Sequence, residues 1–152
     1  MEFNGTFEQR INNNFGEVRF IAFCNTNGWI YKKLGFDNEK EIKNIWKLNP
    51  IITKMPDFII EKKDKTYVIE VKGTENFKKK DYDMIDKLVY AYDSKEAPLI
   101  YAFCLFGNKT IFKTPQQVKE LYEKGIDDKF HDGVVCRALD LSIDTKTDEE
   151  AH

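Results

Sequence analysis

Phe58-Ile59-Ile60 and Tyr67-Val68-Ile69 are two short β-rich runs separated by a polar stretch, residues 61–66. Aromatic and β-branched residues on both sides of a polar connection predict a β-hairpin. The hairpin constrains its flanks as well. Pro56-Asp57 directly precedes the first run, and Glu70-Val71-Lys72-Gly73 directly follows the second. An antiparallel hairpin brings the start of its first strand beside the end of its second, so Asp57 is expected next to Glu70 although twelve residues separate them. Strand side chains alternate between faces, so Glu70 and Lys72 point one way while Ile69 and Val71 point the other. Two carboxylates and an ammonium group are thus expected at one end of a sheet.

Those residue types together suit phosphodiester hydrolysis. The reaction needs a hard cation that neutralises phosphate charge and makes a bound water more acidic. Magnesium takes oxygen ligands and is held by one or two carboxylates, with waters and substrate phosphate completing its shell. Asp57 and Glu70 supply the carboxylates, and the Val71 carbonyl between Glu70 and Lys72 is a further candidate ligand. Lys72 would orient the attacking water or stabilise charge developing on phosphate. Each fragment alone has a plainer reading: Glu-x-Lys is common as a solvated ion pair on an amphipathic strand, and Pro-Asp often marks a turn. Their combination around two hydrophobic strands favours the site.

Pro56, Asp57, Glu70, Val71, Lys72 and Gly73, in a strand–turn–strand setting, resemble the PD-(D/E)xK nuclease superfamily and its restriction-endonuclease-like core. The resemblance covers residues 15–113. It implies an α/β fold, a restriction-endonuclease-like mixed β-sheet flanked by helices on both faces. It also implies a glutamate on the helix before the first strand. Phe15-Gly16-Glu17 through Gly28-Trp29 resembles that helix, with Glu17 eleven residues before Gly28. At helical period Glu17 shares a stripe with Ile21 and Cys24, flanked by Val18 and Phe20. Glu17 would hold a second metal or the nucleophilic water; the plainer reading is a carboxylate favoured near a helix N-terminus. Glu8 is the rival, without the matching spacing to Gly28-Trp29. Magnesium is the implied cofactor, with manganese able to substitute.

A chain of 152 residues with 41% hydrophobic and 14% aromatic content can bury a substantial core. One domain over residues 1–141 is expected, followed by a polar acidic tail, 142–152, expected to be mobile. No apolar run reaches the ~18 residues of a membrane span, and the start lacks a signal-peptide pattern. Cys24, Cys104 and Cys136 are isolated in apolar segments and only two histidines occur, so free thiols in a reducing cytoplasm are expected rather than a zinc site. The net charge of −2 divides unevenly. Residues 127–152 hold eight acids and three bases, and residues 1–126 eighteen acids and twenty-one bases. Lys78, Lys79 and Lys80, with Lys32 and Lys33, are the candidate contacts to a nucleic-acid backbone; the plainer reading is a solvated lysine loop. The lysines at 62, 63 and 65 are expected only to keep the hairpin tip soluble.

Elsewhere, a partly helical stretch over 5–13, a helix over 15–27, a strand from Trp29 and a short helix within 36–48 (Ile42, Ile45 and Trp46 buried) are expected. A polar loop over 74–80 should lead to an amphipathic helix over 81–92, with Tyr82, Ile85, Leu88, Val89 and Tyr92 on one face. The apolar run 98–106 reads as a strand covered on both sides, residues 110–112 as a short strand, and 134–141 as a last one. Thr114-Pro115-Gln116-Gln117 has capping-box spacing with proline at the first helical position, and Gly125 ends that helix. The expected function is a magnesium-dependent DNA endonuclease acting on duplex or branched DNA, with a homodimer as the expected assembly. The alternatives are an RNA- or single-strand-directed nuclease, favoured if Tyr82 or Phe77 were exposed to stack bases, and a non-catalytic binding or assembly subunit on the same fold.

Overall fold

In the computed structural model, residues 7–34, 55–107, 109–129 and 133–142 are described. The expected helix within 36–48 and the tail beyond 142 lie outside them. The described elements run α1 (Phe7–Asn27), β1 (Ile30–Lys33), β2 (Phe58–Lys62), β3 (Lys65–Lys72), β4 (Asn76–Lys78), α2 (Lys79–Tyr92), β5 (Leu99–Leu105), β6 (Lys109–Lys113), α3 (Pro115–Lys124), β7 (Asp128–Lys129) and β8 (Val135–Ala138). Five strands form a mixed sheet in the order β1-β2-β3-β5-β6. β3 and β5 run parallel, and the other neighbours antiparallel. A parallel pair cannot be joined by a tight turn, and the crossover from β3 to β5 carries α2.

The hairpin forms where the sequence puts it. Its turn is Lys63-Asp64, both left-handed at φ 52° and 63°, as a two-residue hairpin turn of the twisted kind requires. So short a turn leaves no slack, and β2–β3 runs in register from Lys62 opposite Lys65 to Phe58 opposite Ile69. One step further puts Asp57 opposite Glu70. Lys62 departs from its expected surface role. It is buried, its ammonium lies 4.8 Å from the centre of the Trp29 ring, and burial, with Lys63 beside it, pulls its pKa below the ordinary value.

Alternation along β3 and β5 separates two apolar layers. Val68, Leu99, Tyr101 and Phe103 face α2 and α3, where Ile85, Leu88, Val118, Leu121 and Tyr122 meet them. Ile69, Val71, Ile100, Ala102 and Cys104 face α1, where Phe20 and Cys24 are fully buried. Strand β5, buried at every residue but the last, is the doubly covered strand that its apolar run predicts. All five residues named for the face of α2 belong to the layer they were expected to fill.

Helix α1 is continuous from Phe7 rather than broken near residue 13; the modest helix cost of Asn12, Asn13 and Asn14 is outweighed by its extension. It ends in a Schellman motif. Gly28 takes φ 70°, Trp29 N–H donates to the Cys24 carbonyl at 2.9 Å, and Gly28 N–H to Asn25 at 3.4 Å. The buried stripe of α1 is Gly16, Phe20 and Cys24, whereas Val18 is 61% exposed. The capping box of α3 is present as read: Gln117 N–H donates to Thr114 Oγ1 at 3.2 Å, and Thr114 N–H to Gln117 Oε1 at 2.7 Å.

The expected 74–80 loop is instead structured. β4 occupies 76–78 and pairs with β8, which pairs with β7, in a separate three-stranded sheet. Phe77 is the reason: it is buried against Tyr101, Phe103 and Tyr122, and its side chain pins β4 to the α2–α3 layer. Cys24, Cys104 and Cys136 are buried and unbridged. Among the described residues no helix is long and apolar enough to cross a membrane.

Because Lys63 and Asp64 both occupy the left-handed region, which costs a non-glycine residue roughly 1–2 kcal/mol, the double substitution Lys63→Asn, Asp64→Gly should stabilise the fold by about 1 kcal/mol. Urea denaturation with an unchanged slope reads the gain; a loss would show that the Lys63-Asp64 turn is not under strain.

Candidate functional site

The C-terminal end of β3 is where the candidate residues meet. Asp57 N–H donates to the Ile69 carbonyl at 2.9 Å, continuing the β2–β3 ladder by one rung. Its side chain then takes over from the backbone, with Val71 N–H donating to Asp57 Oδ2 at 2.7 Å. Leu34 N–H donates to the Asp57 carbonyl at 2.8 Å, which ties the end of β1 to the same fork. The Asp57 backbone is therefore tied to β3 and to the end of β1, and the Val71 amide orients its carboxyl. Val71 spends its amide on Asp57 and its side chain on the α1 layer.

Glu70 is 3% exposed and hydrogen-bonds the Asp57 carboxyl. Burial, the Glu70 charge and that hydrogen bond push the Asp57 pKa from its ordinary 3.8 up to about 8, against the opposing pull of Val71 N–H and Lys72. A hydrogen bond between two carboxyl groups requires a proton between them, so at neutral pH the pair keeps one. Two adjacent carboxylates in a place of low polarity are costly when both are ionised.

Lys72 shares the Glu70 face. Its ammonium sits 3.1 Å from Asp81 Oδ2 and 5.3 Å from the centre of the Phe77 ring. Burial alone would lower its pKa; Glu70, Asp81 and Asp57 outweigh burial and hold it above the ordinary lysine value. It remains a cation across the physiological range. Asp81 lies in the first turn of α2, where a carboxylate is favoured by the helix dipole. On the neighbouring strand Tyr101 pairs in register with Glu70. Its buried hydroxyl has no hydrogen-bond partner among the described residues, and burial with the charges of Glu70 and Asp81 keeps it un-ionised.

The remaining sequence candidates divide. Gly16 of α1 packs so closely on the end of β3 that a Cβ there would lie 3.0 Å from the Gly73 Cα, which puts the neighbouring Glu17 at the same end of the sheet. Glu17, however, pairs with Lys33 at 3.3 Å and is not gathered with Asp57 and Glu70: among the described residues no three His, Cys, Asp or Glu side chains form a metal-holding group. Lys79 pairs with Asp83 at 3.2 Å. Lys78 is half-buried, while Lys32 and Lys80 are exposed. Lys79 and Lys80 occupy the first turn of α2 rather than a loop. Phe77 is in the core, and Tyr82 stacks on Tyr122 at 4.3 Å and bonds Glu123, so neither offers a ring to a base.

Three residues near the site escaped the sequence reading. Asp81 looked like an ordinary helix start. Tyr101 was absorbed into an apolar run, although a hydroxyl at a doubly covered position is the signal that could have marked it. Arg19 was passed over on α1; its Nη1 donates to the Cys104 carbonyl at 3.0 Å and the Gly73 carbonyl at 3.5 Å, bridging the ends of β5 and β3. Two clefts among the described residues lie elsewhere. One of about 470 Å³ is lined by Leu121, Ile126, Ala138 and their neighbours, and another of about 300 Å³ by Val89, Pro98, Thr114 and others. Neither gathers a comparable set of buried charges, and chemistry rather than concavity singles out the end of β3.

A carboxyl whose pKa is higher folded than unfolded binds more protons in the folded state between the two values. Asp57 therefore makes stability fall as pH climbs from about 4 to about 8. Asp57→Asn cannot ionise and keeps an acceptor for Val71 N–H. It should be more stable than the parent by at least about 1 kcal/mol at pH 9, with the difference vanishing near pH 4. Denaturation at the two pH values checks this; equal differences at both would mean the pair holds no shared proton. In comparisons of the chain with known proteins, no family model, no curated protein and no solved structure matches it.

Proposed function

We propose that the chain is a magnesium-dependent nuclease on a restriction-endonuclease-like core, hydrolysing phosphodiester bonds at the end of β3. The observation that carries this reading is the contact between the Asp57 and Glu70 carboxyls beside the Lys72 ammonium. A structural ion pair would match one acid to one base. Here Asp57, Glu70 and Asp81 surround one lysine, giving three negative charges against one when all are ionised. While the Asp57–Glu70 pair keeps its proton the excess is −1, and it becomes −2 once a divalent hard cation, which oxygen donors suit, displaces that proton. The helix α1, the antiparallel β1–β2–β3 unit and the helical crossover to a parallel β5 support the core assignment in outline.

Asp57 and Glu70 would hold the ion, with waters and substrate phosphate completing its shell; Val71 and Glu17 remain candidates for further oxygen contacts. When bound, magnesium supplies charge neutralisation at the phosphate and a more acidic water. The Asp57 orientation is set beforehand by Val71 N–H, so its oxygens need no reorganisation when substrate arrives. Lys72 is fixed by Asp81 and stays protonated, which suits a group that stabilises negative charge rather than one that removes a proton. DNA is the proposed substrate polymer, and Lys32 and Lys80, both exposed, are the lysines best able to meet its backbone.

Supercoiled, branched and single-stranded DNA, and RNA, incubated with the protein and magnesium or manganese, provide the test. Cleavage should depend on the metal. Asp57→Ala should abolish cleavage and the magnesium-induced rise in melting temperature, and Lys72→Ala should slow cleavage by about 100-fold or more. No cleavage of any substrate, with no melting shift on adding metal, would leave a non-catalytic subunit as the better reading.

A further inference from the structure

We infer that the protein takes an unpaired strand of nucleic acid, one of whose bases stacks on Phe106 beside the site at the end of β3. Phe106 is 90% exposed and Phe15 51% exposed, and both rings flank one cation. The Arg19 guanidinium carbon lies 5.9 Å from the centre of each ring, within cation–π range. Arg19 is itself anchored by the Cys104 and Gly73 carbonyls, so the array is held to the sheet rather than left on a flexible stem. Exposed Lys109 opens β6 just beyond the turn that carries Phe106, and adds positive charge to the same edge.

The location gives the array its meaning, and the inference rests on the nuclease reading above. Gly73, whose carbonyl Arg19 contacts, is the residue after Lys72. Arg19 is thus anchored to the backbone one residue beyond Lys72, at the same end of β3 but from the opposite face of the sheet, so a strand several nucleotides long that crosses this end would touch both. Aromatic rings exposed next to cations are the means by which proteins bind single strands, stacking on base faces while cations track the backbone. In a duplex those faces are covered by neighbouring base pairs. A ring this exposed therefore selects an unpaired segment, a tail, flap or loop, of DNA or RNA. Tyr82 and Phe77, which would take this role only if exposed, pack against the core; Phe106 and Phe15 are the exposed rings that flank Arg19.

The test uses fluorescently labelled oligothymidylate, oligouridylate, an abasic oligomer of equal length and a blunt duplex, bound in EDTA so that nothing is cut. Either base-bearing single strand should bind about tenfold more tightly than the abasic strand and more tightly than the duplex; the tighter of the two names the sugar. Phe106→Ala should remove the preference for bases, and Phe106→Trp should keep it, with indole fluorescence quenched by the base-bearing strand alone. Equal binding of abasic and base-bearing strands, or an undiminished preference in Phe106→Ala, overturns the inference. So does a homodimer that Phe106→Ala dissociates, because a second copy would then cover the rings. Base-dependent binding without metal-dependent cleavage of any substrate would sink the nuclease reading alone; cleavage with base-independent binding would sink this inference alone.

Discussion

Two acids pressed together, Glu70 buried and Asp57 half-buried, are tolerated only because the surrounding backbone leaves them no alternative. The Lys63-Asp64 turn fixes the register, the register sets Asp57 opposite Glu70, and the Val71 amide holds the Asp57 oxygen in place. Breaking up so unfavourable a pair would relieve the fold of an electrostatic cost, so its retention needs an explanation outside stability. The compensating charges are local and few. Lys72 is shared among three carboxyl groups, and Tyr101 contributes a hydroxyl with no hydrogen-bond partner among the described residues. A fold that merely needed to close the end of β3 would do so more cheaply with valine or leucine.

Much of this was legible in the sequence because it depends on local periodicity. The alternation over 58–72 gave both the hairpin and the grouping of Glu70 with Lys72. The apolar run at 98–106 gave the central strand, and Thr114 to Gln117 gave the capped start of α3. Long-range partners were harder to read. Nothing in the sequence tells Glu17 to choose Lys33, because that choice depends on how β1 lies against α1. Residues 74–80 look like a loop on composition, yet Phe77 finds an aromatic niche built by β5 and α3 and draws β4 into a sheet. Lys62 looks like surface charge until Trp29, thirty-three positions earlier, lies beneath it. Asp81, Tyr101 and Arg19 each belong to a segment whose general type was evident, while their contacts depend on the parallel pairing of β3 with β5.

The end of β3 is also where the two layers of the molecule come closest to sharing a function. Glu70 and Lys72 face α2, whereas Arg19 and Phe15 belong to α1 on the other side, where Phe106 of the turn after β5 joins them. They meet because Gly16 lets α1 approach the Gly73 backbone to a separation that a methyl group would fill. Polar chemistry on one layer and aromatic surface on the other are thereby brought to a common edge, where a chain-like ligand could touch both.

The buried thiols turn the seam between α1 and the sheet into its own reporter. Cys24 on α1 and Cys104 on β5 share one apolar layer, and burial pushes their pKa values up to about 11 and about 12 respectively. Alkylating reagents attack thiolate, which neither position can supply while the layer is shut. Their modification at neutral pH would therefore time how often the helix lifts from the sheet, without any label having been introduced.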